Sequence, residues 1–309
     1  MTGFSATDAA FSGFRLIGQR PRVVLTWAGV IFGFELVYGG LLVGFGGAQL
    51  SMIKVMEETN RTDPAAAMAM LPSVGFVSLV SLMGWLAIAA VMLSAAYRAM
   101  LELGAERGAF LRLGEDEFRM GVLIVLWVAL ALGYGFLVLF VCVLAGSLGM
   151  GLPSLLNVLF LAIVFAAGLC ALVYPLVRLG LSMPMTMADR HLRLLESWKL
   201  TRGRFWPLLG AWMLSWVLYL VLVFAEWAVV MVVAVIVMVS SHLSLSNLSA
   251  LFSADTSSLA AFFAPTSIIA ALLNALTSAA GLAILTGPIA AAYLAFHPPA
   301  EPPSASAAG

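Results

Sequence analysis

Six long apolar runs limit what this chain can fold into. They lie at about 23–47, 74–97, 120–146, 155–177, 205–238 and 267–296. Each is longer than the roughly 20 residues that a helix needs to cross a bilayer. Only 10% of the residues are charged, whereas soluble domains have about 25%. The sequence therefore predicts an all-α polytopic membrane protein, a bundle of six transmembrane helices arranged as three hairpins in a single membrane domain, 1–296.

The first apolar run, at 23–47, is read as a retained membrane span. It is longer than the roughly 7–15 residues of a signal-peptide core, and it contains an acid, Glu35. A cleaved signal peptide is the alternative. The last segment, 297–309, is rich in Pro, Ala and Ser, and this composition predicts a disordered tail.

The basic residues predict the orientation in the membrane. Of the 15 Lys and Arg residues, all but Lys54 and Arg61 fall on the side that carries both termini. Because cytoplasmic loops carry an excess of Lys and Arg, both termini are expected in the cytoplasm.

Two amphipathic helices are expected to lie at the cytoplasmic interface, at about 6–19 and 187–202. Ser5 and Asp8 have the spacing of a helix cap before the first. Its apolar face would rest on the bilayer through Phe11, Phe14 and Ile17. In the second, Thr186 and Asp189 suggest a start and Gly203 a stop.

Basic side chains on and beside these helices are the predicted contacts for lipid headgroups, since anionic headgroups bind where cations meet the interface. These residues are Arg20, Arg22, Arg190, Arg193, Lys199, Arg202 and Arg204.

The three hairpins share a pattern that suggests an internal repeat. Each ascending span follows an arginine, and each descending span ends near a tyrosine; the first and third hairpins match best, with QRPRVV against TRGRFW and SAAYRAM against AAAYLAF. Duplication would give parallel repeats related by an axis along the membrane normal. The alternative is that Arg and Tyr anchor any span at the interface.

Glu35 is the most informative residue inside a span. It lies about 12 residues past the inner interface, roughly 18 Å deep. No Lys or Arg lies at this depth, so we expect a protonated acid that is hydrogen-bonded to a residue such as Tyr38, Asn274, Thr277 or Ser278. Glu35, Asn274 and Ser278 form the candidate intramembrane polar site, with a structural acid as the alternative.

Glu226 and a set of glycines receive simpler interpretations. Glu226 lies about 22 residues beyond Arg204, roughly 33 Å, which predicts a place at the outer interface. The glycines of the first span fall on one face that allows close approach of another helix, either in the bundle or in a dimer; they are Gly29, Gly33, Gly40 and Gly44.

Signatures of enzymes and cofactor sites are missing from the sequence. There is no H-E-x-x-H, G-x-S-x-G or Walker motif and no Cys/His cluster. The acidic run at 115–117 is typical of a solvated helix start. No Lys- or Arg-rich stretch in a soluble segment is interleaved with aromatics, so nucleic acid is not an expected partner. We predict no enzymatic activity, catalytic residue, metal or cofactor.

One phrase resembles a known family. Residues 178–210 place Pro184 before an acid and a Ser-Trp-x-Leu-Thr-x-Gly phrase, carried by Glu196, Ser197, Leu200, Thr201 and Gly203. This pattern is similar to the six-span bacterial membrane region fused to some glycerophosphodiester phosphodiesterases, and to related inner-membrane proteins of unknown function. The resemblance implies a bacterial inner-membrane location and work near lipids. The catalytic barrel is absent from this chain.

Two functions remain from the sequence. The first is a non-enzymatic scaffold or accessory factor that binds lipid or protein partners at the inner leaflet, with a membrane-protein partner or a homo-oligomer as further expectations. The alternative is a transporter or lipid-moving protein with a central cavity that involves Glu35. A cavity that reaches Glu35 separates the two.

Overall fold

The protein is a bundle of six long helices, which makes it a multi-pass membrane protein. The computed structural model describes residues 4–59, 64–103, 107–149, 154–241 and 258–297, and over these residues it contains helices and no strand. Within these described ranges, six helices are long and apolar enough to cross a membrane. The predicted all-α class and number of spans are confirmed. The predicted tail, 297–309, lies outside the described residues beyond His297.

The helices follow one another along the chain as three long antiparallel hairpins with short helices between them. The long helices are α3 (Pro21–Thr59), α4 (Pro64–Met100), α5 (Glu115–Gly149), α6 (Ser154–Leu179), α9 (Phe205–Ser241) and α11 (Pro265–Phe296). The short helices are α1 (Ala6–Ala10), α2 (Ser12–Gln19), α7 (Ser182–Asp189), α8 (Glu196–Leu200) and α10 (Leu259–Phe262), with a 3-10 turn at Arg107–Phe110. We call the end of the bundle that carries residues 4–22 and 297 the terminal end, and the opposite end the far end.

Two helices extend well beyond the predicted first two spans. Helix α3 has 39 residues, which corresponds to about 58 Å at 1.5 Å per residue, and α4 has 37 residues. A bilayer core is only about 30 Å thick. The segment 48–73, which lies between the first two predicted spans, is helical up to Thr59 and again from Pro64.

Helix α11 is the central helix of the bundle. Of its most apolar 18 residues 28% are buried, whereas none are buried in the corresponding part of α9. It packs against α3, α9, α4, α1 and α2. Its buried face carries small residues, which allow this close packing: Ala275, Ala279, Gly281, Ala283, Gly287, Ala290 and Ala292.

The N-terminal helices α1 and α2 form a strap across α11. The side chain of Ser5 accepts a hydrogen bond from the N–H of Asp8, so the predicted cap is present. The small residues Ala9, Ala10 and Gly13 face the bundle, whereas Phe11 and Phe14 are exposed. The exposed phenylalanines leave the strap with an apolar outer face, as predicted, whereas Ile17, expected on the same face, is half-buried and packs against the core that contains Trp27.

An ion pair that the sequence analysis missed fixes the connection between α4 and α5. Arg98 and Glu117 are both buried, and their charged atoms lie 2.5 Å apart. Arg98 also donates to the carbonyl oxygen of Phe110, and the indole of Trp27 donates to that of Ala109 at 2.9 Å. The acidic run is therefore a helix start with one buried member, since Glu117 neutralises a buried guanidinium.

We expect the strap to depend on the glycine where it crosses α11. A Cβ on Gly13 would lie 2.6 Å from the Cα of Ile284, while a Cβ on Gly18 would meet nothing within 4 Å. Gly13→Ala should therefore destabilise the protein by about 1–3 kcal/mol because it forces backbones apart. Gly18→Ala, in the same helix, should be neutral or stabilising by about 0.5–1 kcal/mol. Thermal unfolding in nanodiscs measures both. Equal stability of the two variants would contradict the packing of the strap.

Candidate functional site

Glu35 forms a hydrogen bond with an amide of the last helix. The side-chain amide nitrogen of Asn274 lies 2.7 Å from Oε1 of Glu35 and donates to it. Glu35 is half-buried, and Asn274 is exposed. The bond joins α3 to α11 within the apolar part of the bundle, and it is one of the contacts that the sequence predicted for Glu35.

Glu226 of α9 lies at the same level as this hydrogen bond. The ring of Tyr219 packs against Gly281, where a Cβ would lie 2.5 Å from the ring. Helices α9 and α11 run antiparallel, Glu226 follows Tyr219 by seven residues, and Asn274 precedes Gly281 by seven. At 1.5 Å per residue both lie about 10 Å beyond the ring contact. Glu35, Asn274 and Glu226 therefore form a polar layer across three helices.

The expected position of Glu226 at the outer interface stays a prediction, but its level in the bundle follows from where α9 begins. The guanidinium of Arg204 lies 4.3 Å from the ring centroid of Phe296, the last residue of α11, and Gly210 packs near Ala6 of the strap. The first turns of α9 thus lie beside the strap at the terminal end, and Glu226 is level with Asn274.

A groove between α9 and α11 opens at the polar layer. Its volume is about 410 Å³, and its lining includes Glu226, Asn274, Thr277 and Ser278. The rest of the lining is mostly apolar, with Val223, Trp227, Val230, Ile269 and Leu273 among its members. The groove reaches the hydrogen-bond partner of Glu35, while Glu35 itself is not part of the lining. Ser278, predicted for the polar site, lies in this groove.

The glycine face of the first span divides into two parts. A Cβ on Gly40 would lie 3.1 Å from the ring of Phe263, and Gly44 lies near Leu259, so this part is covered by the α10 region. Gly29 and Gly33 have nothing within 4 Å of a Cβ. A single helix therefore does not pack along the whole face.

A second cavity, the terminal cleft, lies where the strap joins α3. Its volume is about 460 Å³, and its lining includes Gln19, Arg20, Arg22 and Thr26. Arg20 pairs with Glu102 at 3.2 Å. Arg22 is exposed, and no described carboxylate lies within ion-pair distance of it. The cleft therefore presents one paired and one exposed guanidinium in the segment that follows the strap.

The other basic residues predicted to contact headgroups differ in whether a carboxylate of the protein already pairs with them. Arg193 pairs with Asp189 at 3.0 Å and with Glu196 at 2.5 Å. Arg190, Lys199, Arg202 and Arg204 are exposed. Since surface pairs are weak and easily exchanged, all of these residues can still contact an anionic surface.

The predicted single helix at 187–202 is two short helices with a break between them. Helix α7 begins at Ser182 and ends at Asp189, because Arg190 adopts a left-handed φ of 56°. Thr186 lies inside α7 and is buried; its hydroxyl accepts from the N–H of Arg193. Thr186 and Asp189 therefore do not cap a helix start. Gly203, the predicted stop, has a φ of 77°.

The break allows α8 to enclose Arg178, a buried residue at the end of α6. Its Nε donates to the hydroxyl of Thr201 at 2.9 Å, and its guanidinium also donates to the hydroxyl of Tyr174 and the carbonyl oxygen of Trp198. The guanidinium carbon lies 4.5 Å from the ring centroid of Trp198. The hydroxyl of Ser197 donates to the carbonyl oxygen of Arg178 at 2.8 Å. The Ser-Trp-x-Leu-Thr phrase thus forms a clasp around Arg178.

The clasp explains why polar residues occur at fixed positions in this phrase. Arg178 has an exposed fraction of 6%, and no described carboxylate lies within ion-pair distance of it. A buried charge is costly unless hydrogen bonds satisfy it. Ser197 and Thr201 lie one helical turn apart in the chain, and both face Arg178. The basic residues of this segment, which were predicted to contact lipid, are exposed or half-buried, whereas Ser197 and Thr201 are buried against Arg178.

Comparisons of this chain with protein-family models, with curated proteins and with solved structures find no match. The function proposed below therefore rests on the geometry of the chain itself.

The Glu35–Asn274 bond should be visible in a double-mutant cycle. Asn274→Leu should destabilise the protein by about 1–3 kcal/mol, because it removes the donor and leaves the acid of Glu35 unsatisfied. The double variant Glu35→Leu/Asn274→Leu should recover much of this loss, because replacing both partners by apolar groups is nearly neutral. Thermal unfolding in nanodiscs measures the cycle. Additive losses would show that the bond does not form.

The clasp should depend on the hydroxyl of Thr201. Thr201→Val keeps the shape of the side chain but removes a buried partner of Arg178, so we expect a loss of about 1–3 kcal/mol in the free energy of unfolding. Thr26→Val is the matched control, because Thr26 is exposed and its hydroxyl donates only to the carbonyl oxygen of Arg22. Calorimetry or denaturant unfolding compares the two. A loss no larger than that of the control would argue against the clasp.

Proposed function

We propose that this protein is a non-enzymatic membrane protein, a scaffold or accessory factor, that binds lipid headgroups at the inner leaflet through its terminal end. The terminal cleft carries the proposal. It combines an exposed arginine, Arg22, with a polar lining and a volume of about 460 Å³. Cationic clefts at the membrane surface are the sites at which anionic headgroups bind.

The strap supports the proposal because it carries an exposed apolar surface and ends at Gln19, which lines the cleft. Phe11 and Phe14 have exposed fractions of 47% and 39%. A helix with an exposed aromatic face lies in the interface, with that face among the acyl chains and its basic residues near the headgroups. One lipid could therefore have its phosphate in the cleft and its chains beside the strap.

The orientation and the location belong to the same proposal. All but two of the basic residues lie on the side of the termini, which favours a cytoplasmic terminal end. The proposed location in the bacterial inner membrane rests on the family resemblance of residues 178–210. A membrane-protein partner or a homo-oligomer remains a prediction.

The alternative function, a transporter or lipid-moving protein, gains one supporting observation. The groove between α9 and α11 reaches Asn274, which donates to Glu35. A groove that brings polar side chains into the apolar spans suits movement of a polar group through the membrane. Because the groove does not include Glu35, lipid binding at the terminal cleft stays the leading proposal.

The leading proposal predicts that Arg22 contributes to binding of anionic lipid. Arg22→Gln should weaken retention of phosphatidylglycerol about fivefold, since one basic residue near an anionic surface contributes about 1 kcal/mol. Native mass spectrometry can count the lipids retained from nanodiscs that contain phosphatidylglycerol in phosphatidylcholine.

Arg112→Gln is the matched control for this prediction. Arg112 is exposed and is not part of the described lining of the cleft, and its replacement removes the same charge. It should leave retention nearly unchanged. Equal losses in the two variants would mean that net charge, and not the cleft, holds the lipid.

A further inference from the structure

The geometry points to a second binding site: we propose that the groove between α9 and α11 binds a cationic amphiphile, an alkyl chain with an ammonium head, and that Glu226 receives the ammonium. This site is separate from the terminal cleft and does not depend on lipid binding there.

The shape and lining of the groove fit an amphiphile. Its volume of about 410 Å³ falls within the range of small-molecule sites, about 300–1,000 Å³. Val223, Val230 and Leu273 are among its apolar walls, and the polar side chains cluster around one level. Apolar walls with a few polar groups are the arrangement that holds an alkyl chain and fixes its head.

The charge of the groove selects the head group. Glu226 is the acid in the lining, and no described lining residue is Lys, Arg or His. A cationic head would therefore meet one carboxylate and no like charge. An anionic head would meet the carboxylate and no cation, which is unfavourable in an apolar environment.

The bond between Asn274 and Glu35 strengthens this preference. The side-chain amide nitrogen of Asn274 donates to Glu35 at 2.7 Å. The carbonyl oxygen of Asn274 remains as an acceptor for a ligand, beside the second N–H of the same amide. The carboxylate of Glu226 is also an acceptor at the same level. A protonated amine, which has only donors, matches both groups.

The ligand can reach the groove from the bilayer. Trp227 and Asn274, on opposite walls, are both exposed. The ring of Tyr219 closes the groove towards the terminal end, because it packs against Gly281. An amphiphile would thus enter sideways from the membrane or from the far end.

The test is photolabelling in nanodiscs with a diazirine-bearing dodecylamine and the matching diazirine-bearing dodecanol. The amine should label peptides of α9 and α11 around Glu226 and Asn274 in a saturable way. Glu226→Gln, which keeps size and shape, should weaken the apparent affinity of the amine at least tenfold. The alcohol should label more weakly and should not respond to this substitution.

A steric pair of variants tests whether the groove itself is the site. Ala270 lines the groove, and Ala225 is exposed on α9 without lining it. Ala270→Phe should abolish saturable labelling by the amine, and Ala225→Phe should leave it intact. Circular dichroism and size-exclusion chromatography establish that each variant is folded.

Three results would overturn the proposal. The first is equal labelling by the amine and the alcohol, which would indicate partitioning into lipid. The second is unchanged affinity in Glu226→Gln, and the third is saturable labelling that survives Ala270→Phe. The double loss of amine binding in Glu226→Gln and Ala270→Phe, with Ala225→Phe unaffected, would support it.

Discussion

Close approach at the small residues of α11 is the constraint on which the rest of the structure depends. The strap crosses α11 where a Cβ on Gly287 would lie 2.6 Å from the backbone nitrogen of Gly13, and the ring of Tyr219 occupies the space beside Gly281. Trp27 of α3 packs with Ala279 and Ala283. Lipid tails are as apolar as the side chains, so helices associate in a membrane through such tight packing and through hydrogen bonds. The glycines and alanines of α11 therefore decide which segments can meet.

This packing also determines where a groove opens between α9 and α11. Between the terminal end and Tyr219, α9 lies close to α11, and the strap closes over both. Beyond Gly281 the two helices enclose the groove instead of touching along their length. Among the described residues, the terminal cleft at the strap and the groove at the layer of Glu35, Asn274 and Glu226 are thus polar openings at different levels. The proposed headgroup site and the proposed amphiphile site follow from these two regions.

The sequence was informative wherever a feature depended on the chain locally. The six apolar runs predicted six spans, and Ser5 and Asp8 predicted the start of the strap. The depth of Glu35 also predicted a polar partner, and Asn274 was among the candidates. These features depend on hydrophobic length, on capping and on the cost of an unsatisfied acid, all of which can be judged from residue positions.

Features that depend on tertiary contacts could not be predicted in this way. The periodicity of residues 187–202 favoured one helix, but the chain breaks at Arg190, and the second short helix ends at its C-cap Thr201, which accepts from Arg178 of another helix. Glu117 was interpreted as solvated, yet it is buried against Arg98. The position of Glu226 along the bundle axis depends on where α9 begins relative to α11. No sequence pattern within α9 indicates how far the two helices are shifted along each other. The suggested hairpin repeat stays a prediction.

Disulfide cross-linking in native membranes tests the register between α9 and α11, on which the polar layer depends. In a background without Cys142 and Cys170, the pair Tyr219→Cys/Gly281→Cys should form an intramolecular disulfide on mild oxidation. The ring of Tyr219 packs against Gly281, and cysteines bridge only when their Cα atoms lie within about 7 Å. The pair Tyr219→Cys/Asn274→Cys, displaced by about 10 Å along the helix, should not. Cross-linking of the displaced pair without the level pair would contradict the placement of Glu226 beside Asn274.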